Sequence, residues 1–441
     1  MFLPEDIRAC IDALENAGFA AFTVGGCVRD SLLGLIPHDY DLCTVATPEQ
    51  IRSVFAHDRL VLAGEKHGTV TVIRNGSLVE ITTFRSEGGY ADSRHPGWVR
   101  FVTDVEGDLS RRDFTVNAVA YSPYRGFADP FGGREDLKSR CLRAVGDPVQ
   151  RFTEDALRIL RGVRFSVRYG LAVEEKTAKA MTALAPRMDA LARERVFDEL
   201  CGLLPVVEET DLLRFHPILT QVIPELAPMV GFDQRSPYHA LDLYGHTARV
   251  TASVPNSLSL RWAALLHDIG KPGVFYLDEA GRGHFPGHAK LGAEMADAIL
   301  LRLKAPTALR KQVVDLIARH MTPLEPDKRL LRRRLGKYGQ EATLDLLHLQ
   351  QADFYSKGTK EETDLFDTVR RLLEEIQSEE ACLTVKDLAI NGRDLIELGF
   401  IPGPTIRSCL EQLLLAVQDD TLLNQRQPLL AAANRYKEEL L

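Results

Sequence analysis

The hydrophobic pattern of this chain changes once and does not change back, and that change constrains its architecture more than any other feature. Up to about residue 145 the apolar residues fall into short runs at Ala20–Val24, Gly68–Ile73, Leu78–Phe84 and Val99–Val102, separated by Gly, Asn and Ser turn signals. Residues 5–18 and Val28–Leu33 have helical spacing, so this part predicts a mixed α/β domain. From about residue 153 Leu- and Ala-rich helical periodicity continues to the C-terminus. Thr153 is the expected N-cap of the first such helix, with Glu154 and Asp155 in its first turn. The fold class is therefore α+β. At 441 residues the chain exceeds a single core. Linker-like stretches at Phe232–Tyr238 and Tyr355–Thr363, and the break Ile401-Pro402-Gly403-Pro404, suggest four segments: 1–145, 146–230, 231–360 and 361–441.

Composition narrows the function classes. The 45% hydrophobic and 26% charged content are those of an ordinary soluble protein, and no apolar run reaches the length of a membrane span. The acidic N-terminus is unlike a secretory signal. Seven scattered cysteines without C-x-x-C spacing fit a reducing cytoplasm, with no disulfide framework or zinc site. A formal charge of −8 leaves nucleic-acid binding to local patches. Two segments qualify: Arg158, Arg161, Arg164 and Arg168 at three- and four-residue spacing, and Lys328–Lys337 with Lys328, Arg332, Arg333 and Arg334.

The strongest local feature is Gly25-Gly26-Cys27-Val28-Arg29-Asp30 followed by Asp39-Tyr40-Asp41. A strand ending in Gly-Gly before a helix exposes backbone N–H groups and a positive helix end, which suit a triphosphate. On a strand, residues i and i+2 share a face, so Asp39 and Asp41 could hold one pair of Mg²⁺ ions. Glu80, in the run Leu78–Phe84, is either a third carboxylate or an exposed strand residue.

These residues stand in a longer ordered series: GGCVRDSLLG, HDYDLCT, RRDFTVNA, DPFGGREDL, EDALRILRGVRF and ERVFDEL, spanning residues 24 to about 200. In this series the chain resembles the class II tRNA nucleotidyltransferase and bacterial poly(A) polymerase family. The resemblance implies a polymerase-β-like palm, an all-α neck, an HD-type helical domain and a helical, tRNA-binding tail. It implies that Asp39 and Asp41 are metal ligands, that Gly25, Gly26 and Arg29 touch the triphosphate, and that Arg111, Arg112, Asp113 and Asn117 line ribose and phosphates, with Arg161 beside them. The stretch Ser86–Trp98, with Tyr90, Asp92, Arg94 and Pro96, is similar to the family's flexible Y-x-D-x-R-x-P loop and argues against an enzyme that adds only C.

Glu154-Asp155-Ala156-Leu157-Arg158 matches the family's EDxxR motif, in which Asp and Arg read the incoming base. As i and i+3 on a helix, Asp155 and Arg158 are expected to project together. Cytosine and adenine both offer an amino donor beside a ring-nitrogen acceptor, which a carboxylate and a guanidinium complement. Guanine and uracil would leave polar groups mispaired, at roughly 1–3 kcal/mol each.

Further along, His246, His267-Asp268, His288, His320 and Asp353 reproduce the ordered ligand set of the HD superfamily. His246, His267, Asp268 and Asp353 would hold a divalent or transition metal, and His288 and His320 a second metal or a substrate phosphate. The expected activity is addition of C, C and A to a tRNA 3′ end from CTP and ATP, without an obligate protein partner. Within the class the alternatives are an A-adding enzyme or a poly(A) polymerase. From another class, the chain could be an HD phosphohydrolase whose N-terminal half binds RNA.

Overall fold

Every side chain of Ala21–Val24 (β1) is buried, and the Thr23 hydroxyl is satisfied by donating to the Tyr121 carbonyl at 3.0 Å. The computed structural model describes the chain apart from residues 75, 89–97, 237–240, 358–362, 380 and 441, and apart from the side chains of 87 and 438–440. Tyr90, Asp92, Arg94 and Pro96 therefore lie outside the described residues. After β1 come β2 Asp41–Thr44, β3 Arg59–Val61, β4 Thr69–Arg74, β5 Ser77–Thr83, β6 Arg85–Gly88, β7 Trp98–Phe101, β8 Ala120–Ser122 and β9 Gly126–Ala128. Seven of them form one sheet in the order β3-β4-β5-β2-β1-β8-β9, while β6 and β7 pair as a separate ribbon. The β1 strand is antiparallel to β2 and β8, but β2 and β5 run parallel and set Asp41 opposite Glu80.

Helix α1 (Glu5–Asn16) buries Ile7, Cys10, Ile11 and Leu14, the i, i+3, i+4, i+7 stripe of an amphipathic helix. These pack with Leu42, Val70, Val72, Val79 and Ile81 of the sheet and with Ile51 of α3 (Pro48–Val54). Between them lies α2 (Gly26–Leu32), directly after β1. Helices α4 Val105–Ser110 and α5 Gly133–Lys138 complete this part, and the neck helices follow: α6 Pro148–Glu154, α7 Leu157–Tyr169, α8 Glu175–Leu184, α9 Arg193–Leu203 and α10 Glu209–Val222. Phe114, fully buried, packs against Phe152 of α6 in a tilted arrangement and edge-on to Phe165 of α7, at centroid distances of 6.3 and 6.0 Å, fastening sheet to neck.

The expected helix start at Thr153 is corrected by the structure. Asp147 caps α6 by accepting from Val149 N, with Pro148 in the first turn, so Thr153 lies inside that helix. Asp155 then leaves helical geometry (φ −143°, ψ 104°), and its Oδ1 accepts the Leu157 N–H at 2.9 Å. A short polar side chain that bonds to backbone two residues on competes with helix continuation. Asp155 and Arg158 thus do not share one helix.

The chain divides into two compact units, residues 1–227 with 302–304, and 228–301 with 305–441. The second is helical: α11 Leu243–Ser253, α12 Leu258–Leu266, α13 Lys271–Val274, α14 His288–Arg302, α15 Thr307–Arg319, α16 Lys328–Tyr338, α17 Gln340–Ser356, α18 Leu365–Ser378, α19 Gly392–Glu397, α20 Pro404–Gln418 and α21 Arg426–Leu440. Trp262 on α12 is fully buried, and Leu395, Cys409, Leu413, Leu429 and Ala433 form a separate cluster among the last three helices. Among the described residues no helix is long and apolar enough to cross a membrane.

Candidate active site and HD centre

In the first unit a cavity of about 360 Å³ opens where β1 gives way to α2. Gly25, Gly26, Arg29, Asp39, Asp41, Arg112, Asp113, Asn117 and Arg161 all line it, together with Cys27, Asp30, His38, Arg164, Phe165, Arg168 and Tyr169. Gly25 has φ +79°, and a Cβ there would lie 2.9 Å from an Arg112 guanidinium nitrogen. Glycine is therefore demanded twice, by the backbone and by the arginine over it.

Asp41 opens β2, and Asp39 stands just before the strand, so the two do not share one strand as expected. Both are solvent-exposed at the rim. The protein packed around Asp41 raises its pKa; the Glu80 charge adds to this, Arg112 opposes it and Asp39 adds again. The parallel register places Glu80, also exposed, beside Asp41. A carboxylate whose pKa is raised by burial and by other carboxylates close by is what a cation site looks like before the cation binds.

Behind the rim runs a continuous polar chain. Arg29 donates to Tyr169 Oη and Asn117 Oδ1, both at 2.6 Å, and lies over the Tyr169 ring, 4.3 Å from its centroid. Asn117 Nδ2 donates to Asp113 Oδ1 at 3.0 Å, and Asp113 pairs with Arg161 at 2.8 Å. Arg161 also faces Glu199, which holds Arg164 at 2.6 Å. Burial works against the Asp113 carboxylate, but the charge of Arg161, the Asn117 hydrogen bond and the charge of Arg158 outweigh it and hold its pKa at about 2. The Cys27 thiol, pushed up to about 11 by burial and by Asp41, stays protonated.

Three expected residues are not among the lining ones. Arg111 pairs with buried Asp108 at 2.9 Å. Arg158 donates to Glu154 at 2.9 Å and to the Arg151 and Arg111 carbonyls. Asp155 pairs instead with Arg195 of α9 at 2.9 Å. Sequence reasoning missed Tyr169, Arg195 and Glu199 as partners. The last two lie inside the ERVFDEL motif, so their signal was present but their distant contacts were not.

The second unit gathers the six expected His and Asp residues into one buried centre. His246 comes from α11, His267-Asp268 from the end of α12, His288 from the start of α14, His320 from the end of α15 and Asp353 from α17. His246 Nε2 is 3.1 Å from Asp353 Oδ1 and 3.6 Å from Asp268 Oδ2, and His267 Nε2 is 3.2 Å from Asp268 Oδ2. Asp268 Oδ1 lies 3.5 Å from His288 and 3.9 Å from His320. Asp268 thereby belongs to two triads that could each hold a metal, His246/His267/Asp268 and Asp268/His288/His320.

Tautomers test whether these residues fit a cation. His267, His288 and His320 each set Nδ1 on a backbone carbonyl three residues back, at 2.8, 2.8 and 2.7 Å. That fixes the proton on Nδ1 and turns the Nε2 lone pair inward. The His288 and His320 Nε2 atoms then meet at 3.2 Å. Burial first of all holds His320 at about 4, so it is neutral. Two neutral acceptors in contact repel unless a cation or proton lies between them, and the donor set fits a metal.

The basic run on α16 is largely neutralised. Lys328 pairs with Glu379 at 2.5 Å and Glu375 at 3.5 Å, Arg332 with Asp420 at 2.7 Å, and Arg333 with Asp419. Arg334 donates to the Pro323 carbonyl.

The chain is similar to known proteins over nearly its whole length. It is 34% identical to the CCA-adding enzyme of Latilactobacillus sakei, with 98% of both chains covered, and 32% identical to that of Streptococcus gordonii, with 99% of both covered. The chain belongs to the CCA-adding enzyme family. Family descriptions match in three places: Poly A polymerase head domain over residues 21–143, "Probable RNA and SrmB- binding site of polymerase A" over 170–229, and HD domain over 238–358. The head match contains the whole carboxylate rim, and the HD match all six centre residues. Asp155, Arg158 and Arg161 fall between the first two. The crystal structure of the Bacillus stearothermophilus CCA-adding enzyme in complex with CTP superposes with a TM-score of 0.70, at 28% identity and 98% coverage of both chains. The Thermotoga maritima CCA-adding enzyme complexed with tRNA shares the fold, with a TM-score of 0.60 at 19% identity, covering 99% of this chain and 96% of that one.

Proposed function

We propose that this chain adds C, C and A to the 3′ end of tRNA, using CTP and ATP. The observation that carries this reading is the single cavity in which Gly25, Gly26 and a lining of arginines face Asp39 and Asp41, in a chain of this family. Asp39 and Asp41, with Glu80 in register, are the proposed ligands of Mg²⁺. Two such ions, when bound, would activate the terminal ribose hydroxyl and neutralise charge on the leaving pyrophosphate. The Gly25 and Gly26 backbone and Arg112 hold the triphosphate, while Arg161, Arg164 and Arg168 supply positive charge along the neck side. Arg29, which also lines the cavity, would meet the triphosphate while its hydrogen bonds to Asp30, Asn117 and Tyr169 hold it in place. Asp113 and Asn117 fix Arg161 and Arg29 in place.

Asp155 and Arg158 are the proposed readers of the base. Each would exchange a protein partner, Arg195 or Glu154, for the base edge, so that C and A are accepted and G and U leave buried groups mispaired. Lys328, Arg332, Arg333 and Arg334 would likewise trade their carboxylate and carbonyl partners for RNA phosphates. The four-part division at 145, 230 and 360 is retained as a palm, neck, HD domain and tail. A cytoplasmic setting suits the seven free thiols.

The test supplies CTP alone, ATP alone, or both to a tRNA lacking its 3′ end. The expected products are two C residues with CTP alone and C-C-A with both. Incorporation of A alone would overturn the reading in favour of an A-adding enzyme.

A second activity is favoured by the contact between His288 and His320. The HD centre would hold one or two divalent or transition metals through the two triads, and such metals supply a Lewis acid for phosphoester hydrolysis. Lys271, 2.7 Å from Asp268, and Lys357, 2.8 Å from Asp353, hold those carboxylates ionised and in place.

A further inference from the structure

Away from both sites, helices α16, α17 and α18 enclose a cavity of about 370 Å³. Its walls are mainly apolar, from Leu335, Leu344, Leu373 and Ile376. Its polar lining is His348, one helical turn beyond Leu344, with Arg370 and Glu374 of α18 and the pair Gln340 and Gln377, which bond to each other at 2.9 Å. Volumes of this order hold small molecules, and a few convergent polar groups on apolar walls are their usual setting.

His348 is the informative residue. Its Nδ1 is buried yet has no hydrogen-bond partner among the described residues. The contrast within the same unit is direct, because His267, His288 and His320 all settle Nδ1 on a carbonyl three residues back. A buried polar atom left without a partner is costly and calls for a ligand or water. Burial and the nearby Arg370 charge keep the His348 imidazole neutral. Arg370 itself is only half committed: one nitrogen donates to Gln351 at 2.9 Å, and Asp367 stands 3.6 Å from the other. The cavity therefore offers an apolar body space, one neutral polar contact and one cation. Glu374, which also lines it, opposes added negative charge, so a singly charged ligand fits better than a nucleotide or polyphosphate.

We propose that this cavity is a binding site for a small monocarboxylate with an aromatic or branched apolar body. Its carboxylate would pair with Arg370, its body would fill the space between Leu344 and Leu373, and a polar group would meet His348 Nδ1. The site is separate from the nucleotidyl-transfer reading and does not depend on it.

The test is calorimetric titration of the full chain with 2-naphthoate, with 2-naphthol as a neutral comparator that keeps the same ring system. Saturable one-to-one binding of naphthoate is expected, with naphthol weaker by about tenfold or more. Leu344→Trp, which fills the space, should abolish binding, and Arg370→Gln at the rim should weaken naphthoate by about tenfold while leaving naphthol unchanged. Nucleotide addition to tRNA should be unaltered in both variants, since neither residue lies in the catalytic cavity. Absence of saturable binding, equal affinities for the acid and the alcohol, or naphthoate affinity unchanged in R370Q would overturn the proposal. If L344W fails to unfold cooperatively, R370Q alone decides.

Discussion

Asp113 is the residue through which the sheet domain and the neck helix meet, holding Asn117 on one oxygen and Arg161 on the other. Its folded pKa of about 2 lies below the ordinary 3.8. A depressed carboxyl contributes stability above its unfolded pKa and loses it as pH falls through the folded one, so the window is roughly pH 4 to 2. The shift corresponds to about 2 kcal/mol. Urea midpoints followed down this window should show that loss in the parent and not in Asp113→Asn; an identical acid limb in both would refute the argument. At Gly25 the test is kinetic. Alanine at φ +79° is strained by roughly 1–2 kcal/mol and its Cβ displaces Arg112, so kcat/KM for nucleotide should fall about tenfold or more. Unchanged kinetics in G25A would remove Arg112 from the triphosphate.

At the scale of the element, helical preference and packing can be set against each other on α7. Gly162→Ala gains about 1 kcal/mol in helix propensity. The added Cβ would lie 2.9 Å from Phe114 Cζ and 3.1 Å from Met181 Cε, inside a filled core where overpacking costs about 1–3 kcal/mol. The net expectation is destabilisation by about 1 kcal/mol, read from chemical denaturation; a stabilised variant would show that the Phe114 cluster gives way. Helix α17 offers the opposite case. Burial, and then Glu341 one turn earlier, raise the Asp345 pKa to about 6. A raised carboxyl favours the fold below its unfolded pKa, and that contribution is lost as pH rises through 6. Asp345→Asn should therefore stabilise by about 1 kcal/mol at pH 7.5, after discounting for partial exposure, and by nothing near pH 4. Equal melting temperatures at pH 7.5 would contradict this.

At the scale of the whole molecule, the nucleotidyl-transfer cavity and the HD centre draw their residues from different compact units. Each should therefore fail alone. Asp41→Ala should lower nucleotide incorporation by about a thousandfold or more while leaving the transition-metal content of the purified chain unchanged. His267→Ala should lower metal content and spare incorporation. A single variant that removed both properties would show that the two sites are not independent.

The mixed α/β start, the helical remainder, the Gly-Gly turn, the paired aspartates and the ordered His and Asp series were all legible in the sequence. Turn chemistry, hydrophobic period and motif spacing are properties of residues near one another in the chain, and local sterics and hydrogen bonding act on them directly. What the tertiary structure decided lies in contacts between distant residues. The parallel pairing of β2 with β5 puts Glu80 beside Asp41, a proximity that no local pattern could show. The meeting of α11, α12, α14 and α15 makes Asp268 common to two triads. Asp155 and Arg158 read as neighbours on one helix, yet an Asx bond to Leu157 breaks that helix, and Arg195 and Glu154 become their partners. The basic run of α16 read as a free cationic face, but Glu379, Asp419 and Asp420, more than 40 residues away in sequence, neutralise much of it. Charge, unlike hydrophobic period, takes its meaning from whatever folding brings within a few ångströms.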